Sequence, residues 1–139
     1  MSFTRFQVAT RATGFRRVVQ VHVYEDLDEL RAATQRQWTT SEGHSDAAAT
    51  CTSFDSLLPA PEHSHTVAVI RLWTGQLTTR TVAHEVTHAA MHIYFLDRLR
   101  QYAQARRHLH IGNEEIAYMV GDMSSDVIER LYRLGLLPN

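Results

Sequence analysis

The 139-residue chain reads as one α+β domain: a small sheet of about three strands packed against a long helix and a C-terminal helix. Three observations predict this. Residues 17–24 alternate and residues 66–73 are almost continuously apolar, as strands are. From Val82 and again from Ile116 the apolar residues recur every three or four positions, as on helices. The strands come first and the long helices last, a segregation that favours α+β over a repeated βαβ sheet. A chain of this length supports a single core, so residues 1–139 form one domain.

Residues 1–14 are polar and mixed and read as an arm or an irregular first strand. In the first clear strand Val19, Val21 and Val23 share one side and Gln20, His22 and Tyr24 the other, so His22 reads as a solvent-facing histidine. Asp26 caps a short helix to about Gln37, with Leu27, Leu30, Ala32 and Ala33 on its apolar side. Trp38–Asp46 reads as a polar loop, and residues 47–54 as a second strand. Residues 57–65 form a proline-punctuated loop whose His63 and His65 read as surface residues.

Thr66–Trp73 is a strand covered on both faces, and Thr74-Gly75 turns the chain. Thr78 or Thr79 caps a helix running from about Arg80 to Arg106, with Val82, Val86, Ala89, Ile93, Leu96 and Leu99 on its core stripe. Asn113 reads as the cap of the last helix, whose core stripe is Ile116, Val120, Met123, Val127, Leu131 and Leu134.

Hydrophobic content of 44% and charged content of 21% are globular values and exclude a disordered chain. A net charge of −1 gives no general attraction to nucleic acid, and Arg98, Arg100, Arg106 and Arg107 read as a solvated helix face. No stretch has the roughly 20 apolar residues of a membrane span, and no signal-peptide core is visible. One cysteine, Cys51, rules out an intrachain disulfide, which together with these absences leads to the expectation of a soluble, cytoplasmic protein.

The nine histidines are the compositional excess, and His84, His88 and His92 fall within nine residues. His84-Glu85-Val86-Thr87-His88 is an H-E-x-x-H sequence, in which two imidazoles one helical turn apart can reach one metal ion. Glu85 between them can act as a general base on a water at the metal. With this His and Glu content the pattern arises by chance in about 3% of chains of this length, so it carries weight. His92 lies eight residues beyond His84, a rise of roughly 12 Å, too far to share a metal with it.

A catalytic zinc usually takes three protein ligands, and the stretch Gly112–Tyr118 offers the third. Glu114 heads a stripe of small residues, Ala117, Gly121 and Ser124 or Ser125, that suits close helix approach. Glu115 reads as a cap residue, and His110 is a further choice if the preceding loop folds back.

In these two stretches the chain resembles the zincin metallopeptidases, in the gluzincin branch where a glutamate on a later helix completes the site. Asn113-Glu114-Glu115-Ile116-Ala117 is similar to the opening of that branch's second motif. The chain is also similar to small zincin-like proteins of bacteriophage genomes. The resemblance implies a minimal zincin-like domain holding Zn2+ by His84, His88 and Glu114, with Glu85 as general base in peptide-bond hydrolysis. It also implies a strand at the cleft that pairs with an extended peptide or protein substrate, for which Thr66–Trp73 is the candidate.

The family's usual Asp after the second motif is Tyr118 here, so support for a histidine ligand passes to Asp122. Tyr94, Tyr118, His108 and His110 are the candidate donors to the transition state. The rival expectation is a binding or assembly protein that keeps zinc for structure and docks on a partner protein. Substrate and oligomeric state are not legible.

Overall fold

The computed structural model describes residues 3–37, 48–53, 66–99 and 105–137, without the side chains of residues 37, 105–114 and 117. The predicted loops at 38–46 and 57–65, with His63 and His65, lie outside the described residues. The elements are β1 (Phe3–Thr10), β2 (Arg17–Tyr24), α1 (Leu27–Gln37), β3 (Ala49–Ser53), β4 (Thr66–Trp73), α2 (Thr79–Tyr94) and α3 (Ala105–Arg133). A 3₁₀ turn at Thr74–Gln76 enters α2, and a π-helical turn at Phe95–Leu99 leaves it.

The α+β class holds, with four strands in the order β1-β2-β4-β3. The fourth strand is β1. Its polar residues hid a regular eight-residue strand, in which Phe6, Val8 and the polar Thr10 are buried while Arg5 and Gln7 face solvent. β1 pairs with β2 and β3 with β4 antiparallel, whereas β2 and β4 run parallel, a geometry that needs the long crossover containing α1.

Strand alternation sorts the side chains onto two faces. Val19, Val21, Val23, Ala68, Ile70 and Leu72 pack with Val82, Val86, Ala89, Ile93, Met119, Met123, Val127 and Leu131 from α2 and α3 in the main core. On the opposite face a small cluster joins Leu30 and Ala33 of α1 to Tyr24, Phe3 and Trp73. Ala32, placed by the sequence on the apolar side of α1, is exposed.

The caps of α1 and α2 follow the expected chemistry. The Asp28 amide donates to Asp26 Oδ1 at 2.8 Å, and the Thr81 amide to Thr78 Oγ1 at 3.1 Å. α2 is shorter than its apolar stripe implied: its α-helical part ends at Tyr94 and the π turn carries Leu96 and Leu99, only half-buried. Asp97 in that turn accepts from Thr13 Oγ1 (2.6 Å) and Arg17 Nε (3.0 Å) and pairs with the Arg17 Nη2. The contact anchors the end of α2 to the β1–β2 connection.

α3 begins at Ala105, eight residues before Asn113. Asn113 is therefore no cap, and Glu114, Glu115, His108 and His110 lie within a helix rather than at its mouth or in a loop. Its buried stripe is Met119, Met123, Val127 and Leu131, while Leu134 is exposed and belongs to the closing turn. There Gly135, at φ +71°, lets Leu136 N donate to Leu131 O and Gly135 N to Tyr132 O. These are the two bonds of a Schellman cap.

Candidate metal centre

α2 runs across the sheet with three different flanks. Counting 100° per residue, Val82, Val86, Ala89 and Ile93 point into the core. Ala90 and Tyr94, both buried, define the flank on one side; Glu85, buried at 6% exposure, defines the other. His84 and His88 lie next to Glu85 on the outer side and are exposed. The core stripe was legible because it alone fixes how the helix rolls, and with that roll the histidines had to face outward.

His84 Nε2 and His88 Nε2 stand 3.2 Å apart, with ring centroids 4.8 Å apart and the rings edge-to-face. Two Zn–N bonds of about 2.0–2.1 Å at a tetrahedral angle require about 3.3 Å between nitrogens, a spacing the pair already has. Ligand atoms of His84, Glu85 and His88 lie within 4.8 Å of one another. Among the described residues they are the group of three that could hold a metal.

His84 and Glu85 line an open cleft of about 620 Å³, together with Gln76, Thr78, Thr81 and Ala49. Ala49 begins β3, and among the described strands β3 is the outermost on this side of the sheet. The strand assigned from sequence to pair with substrate, Thr66–Trp73, is instead interior: as β4 it is hydrogen-bonded to β2 on one side and β3 on the other. Its near-continuous apolarity reports that interior place. The strand that reaches the cleft, through Ala49, is β3, which alanine and threonine made hard to single out in the sequence.

Cys51 of β3 is the neighbour that sequence reading missed. Burial and then the charge of Glu85 push its thiol up to about 12, so the free thiol stays protonated at neutral pH.

The remaining sequence candidates fall elsewhere. The side chain of Glu114 lies outside the described residues. Its neighbour Glu115 accepts from Arg98 Nε at 3.0 and 3.1 Å and pairs with Arg98 Nη2 at 2.9 Å, ten residues beyond His88. Glu115 also acts with burial to raise the pKa of the Tyr94 hydroxyl. Arg98 and Tyr94 thus mark the flank of α2 that meets α3, and it is not the flank of His84 and His88. Arg98 is accordingly no part of a solvated basic face.

At Gly121 the small-residue stripe makes no close approach. Gly121 is exposed, and a Cβ built there meets nothing within 4 Å. Asp122 accepts from Thr10 Oγ1 at 3.0 Å, which puts it against β1, at the opposite edge of the sheet from β3. It cannot steady a histidine of α2 from there. Tyr94 is buried on the α3 flank, and Tyr118 is exposed on α3. His92, half-exposed, follows His88 on an uninterrupted helix, so the axial distance that excluded it stands.

No described helix is long and apolar enough to cross a membrane. No protein-family model, curated protein or solved structure matches the chain.

Proposed function

We propose that the chain is a zinc-dependent peptidase whose centre is carried by α2, with His84 and His88 as zinc ligands and Glu85 as general base. The observation that carries the reading is the 3.2 Å spacing of the two Nε2 atoms beside a buried carboxylate at the rim of an open cleft. Zinc, when bound, supplies a Lewis acid that polarises the scissile carbonyl and makes water acidic. The Glu85 carboxylate takes a proton from that water and passes it to the leaving amine. β3 offers an extended peptide the backbone groups of its outer edge, in the manner of strand addition. The cleft between β3 and the start of α2 then holds the peptide across Glu85.

The resemblance adds Glu114 as the third ligand; its side chain lies outside the described residues, so mutation is the test. Glu114→Ala is expected to lower zinc affinity by about 10- to 100-fold, and a change within about threefold would take that role from Glu114.

The experiment is zinc analysis combined with hydrolysis of a mixed peptide library. Glu85→Gln should keep zinc and lose about 10²- to 10⁴-fold in turnover, whereas His88→Ala should lose both. A Glu85→Gln protein that binds no zinc overturns the role given to Glu85.

One observation favours the second reading, a zinc-bearing docking protein. Met91 and Phe95, 57% and 50% exposed, lie on the same outer face of α2 as the histidines. Zinc spectroscopy separates the readings: a water-accessible position supports the peptidase, and four protein ligands support a closed structural site.

A further inference from the structure

The sheet face away from the metal centre holds a second cavity, of about 390 Å³, lined by Phe3, His22, Tyr24, Glu29, Arg36 and Arg71. Strand register sets Arg5 against His22, His22 against Arg71, and Arg71 against Thr50. One polar row therefore crosses all four strands beneath α1, where an apolar layer is the usual solution. Arg5 at the β1 end faces solvent, but His22 is only 9% exposed and Arg71 only 4%, so the middle of the row is built into the fold.

The groups facing the cavity are of two opposite kinds. His22 Nε2 lies 3.1 Å from Gln20 Oε1, which makes Nε2 the protonated nitrogen and leaves Nδ1 as an acceptor. Burial, then Arg71 and Arg5, hold the ring neutral at pH 7. His22 Nδ1 and Glu29 Oε2 are both buried without a hydrogen-bond partner, so two acceptors await a donor. Against them stand the guanidinium of Arg71, which donates to Thr52 Oγ1 at 3.1 Å, and that of Arg36, close enough for its charge to lower the Arg71 pKa. The two cations favour an anion. The rings of Phe3 and Tyr24, stacked at 4.9 Å between centroids, form an aromatic wall, and the Tyr24 hydroxyl is hydrogen-bonded to Arg71.

An inorganic anion would satisfy the guanidiniums, yet it would sit beside the Glu29 carboxylate and give nothing to His22 Nδ1. A simple amine would do the reverse. A molecule carrying both charges matches all four groups, and the volume falls in the range of small-molecule sites. We propose that this cavity binds a free α-amino acid, its carboxylate on Arg71 and Arg36 and its ammonium on Glu29 and His22, with the side chain against Phe3 and Tyr24. The site lies across the sheet from His84 and His88 and does not depend on the peptidase reading.

The test is isothermal titration of the full chain with each common α-amino acid, with acetate, methylamine and inorganic phosphate as single-charge probes. At least one amino acid should bind in the submillimolar range, and each single-charge probe about tenfold or more weakly. Arg36→Gln and Glu29→Gln, both at the helix side of the cavity and outside the main core, should each weaken the amino acid about tenfold while leaving zinc content unchanged. Three results overturn the proposal: no amino acid binds, phosphate binds but no amino acid does, or neither substitution changes the affinity.

Discussion

At His22 the chemistry of one side chain reverses what alternation suggested. The polar side of β2 is covered by α1, so His22 is buried and its pKa falls from 6.5 to about 4. Burial is the main cause; Arg71 and Arg5 add to it, and the Glu29 carboxylate faces the same cavity. The folded chain thus keeps His22 neutral where the unfolded chain protonates it. Stability from this group is complete above pH 6.5 and is lost as pH falls towards about 4. The expected loss is about 2 kcal/mol, read by urea unfolding across that range, and His22→Gln should remove it. A two-fold pattern tells which side chains share a face, but not whether a helix later covers that face. The H-E-x-x-H residues suffered no such ambiguity, because four-residue spacing on a helix fixes their relation without reference to any other element.

Among the elements, the entry to α2 depends on a close approach at Gly75. A Cβ there would lie 2.3 to 2.5 Å from ring atoms of Trp73, whose indole Nε1 is held by Glu25 O at 3.2 Å. Gly75→Ala should destabilise the fold by about 1–3 kcal/mol in thermal or chemical unfolding. The exit of α2 depends on the Asp97 carboxylate, 2% exposed and paired with Arg17. Arg17→Met strands that charge and should cost about 3 kcal/mol; a change below about 0.5 kcal/mol would show the pair to be incidental. The extents of both long helices were the least legible elements. A π turn breaks α2 where the apolar stripe continues, and α3 starts before Asn113 because a residue that caps well costs only a fraction of a kcal/mol inside a helix. Glu114 falls inside this helix, and its match to a third-ligand motif rests on the sequence, since its side chain lies outside the described residues.

For the whole molecule, the main core is complete without the metal. His84 and His88 are exposed, and the buried residues of the sheet, α2 and α3 close around one another. Chelation should therefore leave the chain folded by circular dichroism. Zinc at about 100 times its dissociation constant should add about 2.7 kcal/mol to stability, the amount mass action allows. Unfolding on chelation would mark the zinc as part of the core. The α+β class was legible from the order of strands and helices. The strand order was not, because the parallel pairing of β2 with β4 and the outer place of β3 are long-range choices that no local pattern encodes. This moved the edge strand beside the cleft from Thr66–Trp73 to Ala49–Ser53.

The most direct test of the metal centre is zinc stoichiometry and affinity, measured in parallel on the native chain, His84→Ala, His88→Ala and Glu85→Gln. The expected result is one zinc per chain in the native and Glu85→Gln proteins and a large loss of affinity in both histidine variants. A native chain that binds no zinc, or one whose zinc survives loss of both histidines, contradicts it.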